Sequence, residues 1–185
     1  MIISDKYKFV YFAPVKTGTS SIISVLDSGY NIKYLNHEKL GKSPYSHQLF
    51  FKPEWKNYTT FISVRNPYDR FLSIFNYFSR NKSHETIEDY TKPEWKVKSI
   101  SEQLQEGQFL NECIPARLDF VVKLESIEED FNKLPFLKKY EKIPKLNSSE
   151  KKIENLSKKI KFFVETKFKE DFIQFNYKIQ STKFI

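Results

Sequence analysis

Apolar positions gather in three short runs, at residues 8–13, 59–64 and 119–124, each rich in β-branched and aromatic side chains and bounded by polar or turn residues. Runs of this kind predict strands buried in the middle of a sheet. Between and after them, helical patterns cover 19–26, 68–79 and 99–112. Another helix is expected to open at Ser126-Ile127-Glu128-Glu129, where a serine three residues before a glutamate has the form of a capping box. The last long helix carries Ile153, Leu156, Ile160 and Phe163 on one side and lysines on the other, and is expected to pack on the sheet. Strand and helix thus alternate, which predicts a three-layer α/β fold with a mainly parallel central sheet and helices on both faces.

In such a fold ligands collect beyond the carboxyl ends of the strands, so the residues just after each strand are the ones to inspect. The segments 30–57 and 81–98 are polar, contain proline and have little periodicity, and read as loops or lids. There is no internal repeat and no low-complexity linker, and 185 residues suit one core, so residues 1–185 are expected to form a single domain.

Composition narrows the class. Aromatic residues make up 17% of the chain and apolar ones 39%, which excludes a disordered tail or a fibrous repeat. No apolar run reaches the length of a membrane span, and the N-terminus leads straight into Lys6-Tyr7-Lys8, so a soluble, unexported chain is expected. Cys113 is the only cysteine, which rules out an internal disulfide and a cysteine metal cluster and suits a cytoplasmic location. The three histidines have no ligand spacing, so no metal is expected. A net charge of +8 favours an anionic partner, although many of the lysines belong to the polar side of the C-terminal helices.

Two segments carry candidate chemistry. After the first strand comes Pro14-Val15-Lys16-Thr17-Gly18-Thr19-Ser20-Ser21, and a helix begins at once. Backbone N–H groups at a helix start, a glycine allowing close approach, several hydroxyls and one lysine can together wrap a phosphate. The order is not that of a Walker A loop, because here the lysine precedes the glycine. A Ser/Thr-rich helix cap is the plain alternative. After the second strand comes Arg65-Asn66-Pro67, with Asn66 as a helix cap and Pro67 at the first helical position. Arg65 then stands at a strand end and Ser73 inside the following helix, a guanidinium and a hydroxyl suited to one phosphate.

These two segments resemble the phosphate-binding motifs of sulfotransferases that use 3′-phosphoadenosine 5′-phosphosulfate (PAPS). Lys16-Thr17-Gly18-Thr19-Ser20 is similar to their 5′-phosphosulfate loop, and Arg65 with Ser73 to their 3′-phosphate motif. The resemblance extends to the segment from Lys123 to Phe131 and to Glu170-Asp171-Phe172 with Phe175-Asn176-Tyr177, as in the carbohydrate branch. The chain departs from the family pattern at Val15, which separates Pro14 from Lys16.

The resemblance implies a P-loop-like PAPS site in which Lys16, Thr17, Gly18, Thr19, Ser20 and Ser21 hold the 5′ side while Arg65 and Ser73 hold the 3′-phosphate. It also implies a hydroxyl acceptor, expected on a glycan, with no nucleic acid and no membrane span. Sulfuryl transfer calls for a base on the acceptor and a cation on the leaving group. Lys16 is the cation, and His47 resembles the family's catalytic histidine in order and spacing. His37, His84 and Glu125 are the alternative bases, and Asn147-Ser148-Ser149 is either a further nucleotide contact or a helix cap. A nucleotide-dependent kinase would show the GK[ST] order and an acidic magnesium ligand, both missing. A polyanion-binding domain would explain the charge but not two phosphate motifs.

Overall fold

The computed structural model describes residues 1–35, 49–80, 85–92, 97–110, 112–138, 143–144 and 156–180. These fall into two compact units: Met1–Arg65 with Glu102–Leu146, and Asn66–Ser101 with Asn147–Ile185.

The first unit holds a five-stranded sheet. Its strands are β1 (Ile2–Ser4), β2 (Phe9–Phe12), β3 (Lys33–Tyr34), β4 (Thr59–Val64) and β5 (Phe120–Lys123), in the spatial order β3-β1-β2-β4-β5. The three strands expected from the sequence are β2, β4 and β5, and they run parallel to one another with Phe12 beside Ile62 and Val64 beside Lys123. The two strands that the sequence did not predict, β1 and β3, extend the sheet antiparallel on one side. Helices α1 (Thr19–Asp27) and α4 (Ile127–Phe131) cover one face of the sheet: Ile22, Val25, Leu26, Ile127 and Phe131 join Phe9, Tyr11, Phe61 and Val122 in one buried cluster. The alternate side chains of β2 and β4 point the other way, and there Phe12 meets Phe51, their ring centroids 6.3 Å apart.

Helix α3 (Ile100–Gln108) is shorter than the expected 99–112. Its Gly107 lies so close to the backbone of Leu49 and Phe50 that a Cβ there would stand 1.8 Å from the Leu49 carbonyl oxygen. The chain turns away directly afterwards, with Phe109 and Leu110 donating back to Glu106 and Gly107. At Ser126 the expected capping box does not form. The Ser126 hydroxyl donates to Asp130 at 2.7 Å instead of capping, and the same carboxylate accepts the Lys123 N–H at 3.1 Å, so Asp130 ties α4 to the end of β5.

The second unit is helical: α2 (Pro67–Phe78), α5 (Lys158–Lys167) and α6 (Lys169–Gln174), with a single-turn helix at Ile87–Thr91 that carries a capping box between Thr86 and Asp89. Asn66 caps α2 and Pro67 opens it, as expected from the sequence. Ser157 caps α5. Ile153 lies outside the described residues, whereas Leu156, Ile160 and Phe163 pack with Phe71, Leu72 and Phe75 of α2. A buried ion pair lies within this unit beside its apolar cluster. Asp171 accepts from the N–H groups of Ile100 and Ser101, both at 2.9 Å, which caps α3 from another helix. It also accepts from the Ser101 hydroxyl at 2.8 Å and faces the buried Arg70 guanidinium at 3.6 Å, which donates to the Lys98 carbonyl. Removing one partner of such a pair strands the other charge, at a cost of about 3–5 kcal/mol.

Asp119 pins the start of β5 to β4, accepting from the Thr60 N–H at 2.8 Å and pairing with Arg117 at 2.8 Å. Burial alone pushes its carboxyl pKa up, but the Thr60 N–H, the Arg117 guanidinium and the Thr60 hydroxyl outweigh burial and hold it below the ordinary value. A folded-state pKa lowered in this way adds stability above the unfolded value of about 3.9 and loses it as pH falls through the lowered one. Asp119→Asn is therefore expected to melt below the wild type at pH 7, with the gap narrowing below about pH 4. Thermal unfolding of both proteins from pH 7 down to about pH 2 checks it, and a gap that stays constant below about pH 4 contradicts the assignment.

Candidate functional site

The site is built where β2 and β4 end. Because these strands pair in parallel and in register, the segments that leave them emerge side by side, the loop of residues 13–18 from β2 and Arg65 from β4. Helix α1 begins at Gly18, which has φ 83 and no side chain with which to cap the helix, and the first turn of α1 carries no acidic residue. The leading N–H groups of a helix have no partner within the helix, and the helix dipole adds to their attraction for an anion. By contrast α2 is capped by Asn66, α3 by Asp171 and α5 by Ser157.

The loop is unusual in its backbone. Lys16 has φ 66, so two left-handed residues, Lys16 and Gly18, flank Thr17. Such a conformation costs a non-glycine residue about 1–2 kcal/mol. Buried hydroxyls hold it in place. Thr17, fully buried, donates to the Pro14 carbonyl at 2.8 Å and contacts the Ser63 hydroxyl at 2.7 Å. Thr19 also donates to the Pro14 carbonyl, at 3.0 Å. Ser63 contacts the Tyr11 phenol at 2.7 Å. Burial pushes the Tyr11 pKa far up, against the small opposing pull of the Ser63 and Thr19 hydroxyls, so the phenol stays neutral.

A third strand end reaches the same loop. Leu124, the first residue after β5, packs so near Gly18 that a Cβ there would lie 2.5 Å from its Cδ1. The turn Leu124–Ser126 continues with Glu125, which is exposed.

Lys16 and Arg65 are both partly exposed, Ser20 is exposed, and Thr17, Thr19 and Ser21 are buried. The loop and Arg65 are thus brought to neighbouring strand ends of the first unit. Ser73 is buried within α2 of the second unit. His47, His37, His84 and Asn147-Ser148-Ser149 lie outside the described residues. Sequence reasoning missed Tyr11, Ser63 and Leu124, which shape the loop from behind. The one signal for them was a single serine in the otherwise apolar stretch Phe61-Ile62-Ser63-Val64, a small hydroxyl placed where a strand must meet another polar group.

Chemically, a glycine-led helix start, a lysine and an arginine at adjacent strand ends have the charge and the N–H donors that an anion needs. Among the described residues no cluster of side chains suits a metal ion, and no helix is long and apolar enough to cross a membrane. Residues 1–182 match a family model described as the sulfotransferase family. No curated protein and no solved structure matches the chain.

Gly18 supplies the test of the loop geometry. Gly18→Ala adds a Cβ to a left-handed residue and pushes it against Leu124, so it is expected to lower stability by about 1–3 kcal/mol. Gly29→Ala, with nothing within 4 Å of the added Cβ, is the control and is expected to be close to neutral. Urea unfolding of both variants checks the contrast, and equal stabilities contradict it.

Proposed function

The chain belongs to the sulfotransferase family, and from that premise we propose that it transfers a sulfuryl group from PAPS to a hydroxyl group, most fittingly on a carbohydrate. The observation that carries the reading is the placement of a lysine-glycine loop and an arginine at the ends of adjacent parallel strands, with the helix start between them left uncapped. PAPS supplies the activated sulfuryl group and carries phosphate at both its 5′ and 3′ positions. The residues present suit it.

The backbone N–H groups of residues 17–20 and the hydroxyl of Ser20 face the 5′ side, where Lys16 offsets the negative charge that develops on the leaving oxygen. Thr17 and Thr19 add their N–H groups only, since both hydroxyls donate to Pro14. Ser21 closes the first turn, its N–H accepted by Gly18 at 3.0 Å. Arg65 takes the 3′-phosphate, and Ser73, buried in the second unit, is assigned to the same phosphate by the family resemblance alone. His47 removes the proton of the acceptor hydroxyl. The preference for a carbohydrate acceptor rests on the resemblance of the segment from Lys123 and of the ending at Tyr177 to that branch. The Asp171 segment of that ending has a second, structural task, since Asp171 caps α3 and pairs with Arg70. We take the whole span as one catalytic domain.

Donor binding is the primary test. The desulfated product PAP, bound only by the folded state, is expected to add about 2.7 kcal/mol at a hundredfold excess over Kd, seen as a rise of several degrees in melting temperature. ATP with magnesium is expected to do much less, and a larger shift with ATP contradicts the reading. Arg65→Ala is expected to weaken PAP by about 2–4 kcal/mol and to leave adenosine 5′-phosphosulfate, which lacks the 3′-phosphate, nearly unaffected.

The roles of Lys16 and His47 separate in kinetics. Lys16→Ala is expected to lower turnover and weaken PAP together, because the side chain meets the donor. His47→Ala is expected to lower turnover by about 100- to 10,000-fold with PAP affinity nearly unchanged. The base must be neutral to accept a proton, so wild-type activity is expected to fall as pH drops through about 6–7. Transfer of labelled sulfate to a glycan panel, with calorimetry of PAP, reads both. Near wild-type turnover in His47→Ala, alongside loss in His37→Ala or Glu125→Ala, moves the base elsewhere.

A further inference from the structure

We propose that Ser63 and Tyr11 are positioning residues for the phosphate loop, holding Thr17 through a single directed line of hydrogen bonds so that the loop keeps its anion-accepting backbone before any ligand arrives. The inference rests on the reading of this loop as the donor site.

Counting protons gives the direction. Each hydroxyl has one proton to give. The Pro14 carbonyl can only accept, so the proton in the 2.8 Å contact comes from Thr17. Thr17 then has none left for Ser63, and the proton in their 2.7 Å contact must come from Ser63. Ser63 in turn has none for Tyr11, so the phenol donates in the 2.7 Å contact that starts the line. The order Tyr11 to Ser63 to Thr17 to Pro14 is the only one in which every contact carries a proton.

Three further observations make this line a positioning device. Tyr11 and Thr17 are fully buried and Ser63 is 1% exposed, so bulk water does not stand in for any member. The line joins elements far apart in sequence: Tyr11 in β2, Ser63 in β4, and the loop. Its loop end lies at Thr17, between the left-handed Lys16 and Gly18, where the backbone needs outside support. The strands are fixed by their ladder; the loop has no ladder, and Thr17 links it to them through Ser63, beside the Thr19 hydroxyl that also reaches Tyr11. Pre-ordering of this kind strengthens binding by removing the cost of organising the loop on arrival.

Across a mutation series the effect on the loop and the effect on the fold rank the variants differently. Thr17→Val, nearly the same shape, cuts the line at the loop and leaves the strands paired. Tyr11→Phe removes only the far end, and Ser63 still donates to Thr17. Ser63→Ala leaves the Tyr11 phenol buried with its main acceptor gone, so it costs the fold most.

Amide hydrogen exchange of residues 16–20 in the ligand-free protein, together with calorimetric titration of PAP and melting temperatures, tests this. Thr17→Val is expected to speed exchange of these amides about tenfold or more and to weaken PAP about tenfold, with a fall in melting temperature no larger than that of Ser63→Ala. Thr17→Ser, which keeps the hydroxyl, is expected to restore both within about twofold. Exchange in Thr17→Val equal to wild type overturns the proposal. So does a series in which loop exchange simply tracks melting temperature, or one in which exchange rises and PAP affinity does not change. If the wild type binds no PAP at all, the donor reading fails, while the exchange data still decide whether the hydroxyl line holds the loop.

Discussion

Everything proposed for this chain depends on the parallel pairing of β2 with β4. Antiparallel strands can be joined by a tight turn, but a parallel partner has to be reached by a long crossover. Here the chain leaves β2 at Phe12 and returns at Thr59, placing α1 and much intervening sequence between two neighbouring strands. The return gives both strands the same direction, so the lysine-glycine loop that leaves one and the arginine that ends the other emerge at one edge. A shift of one residue in this register would turn Ser63 to the opposite face of the sheet and separate it from Thr17. The site is therefore sensitive to a backbone pairing that none of its ligand-facing residues makes.

The central strands were legible because their sequences leave little choice. Phe-Val-Tyr-Phe and Thr-Thr-Phe-Ile-Ser-Val are apolar on both faces, and such runs are stable only when covered on both sides. Helix α2 was legible for a similar reason, since Asn66 and Pro67 are a strong start signal. The features that escaped notice are set by tertiary contacts. β1 is three residues and β3 two, too short for any periodicity to show. The Ser126 box is displaced because Asp130 offers a better acceptor to the Ser126 hydroxyl and to the Lys123 N–H at once, an advantage invisible until β5 and α4 are adjacent. The end of α3 is hidden in the periodicity because Gly107 acts as a point of backbone contact, not merely as a weak helix residue.

For the candidate site, the residues at the strand ends were easier to pick out than those behind them. Lys16, Gly18 and Arg65 are residue types whose chemistry suits an anion irrespective of the surrounding fold, so their spacing carries information on its own. Tyr11, Ser63 and Leu124 matter only through geometry: a phenol, a hydroxyl and a methyl group that happen to lie under or against one loop. The same distinction runs through the C-terminal pattern. Asp171, Phe172 and Phe175 are buried, with the carboxylate capping α3 and pairing with Arg70, so part of what makes that ending recognisable is the architecture of the second unit.

The second unit is assembled from two stretches of chain separated by a long excursion through the first. A ribosome releases the chain in order, and by the time residue 123 has emerged all five strands exist and the sheet can close. Arg70 and the rest of α2 are by then already outside the tunnel, but Asp171 and the helices that cover α2 are not yet made. For that interval the nascent chain presents a finished sheet together with an apolar helix covered only by the segment around Tyr90 and a guanidinium held only by the Lys98 carbonyl, without its carboxylate. Synthesis of the segment that carries Asp171 thus decides how long parts of Phe71, Leu72 and Phe75 stay open to chaperones or to aggregation, and a pause before Asp171 lengthens that exposure while leaving the loop of residues 13–18 already formed.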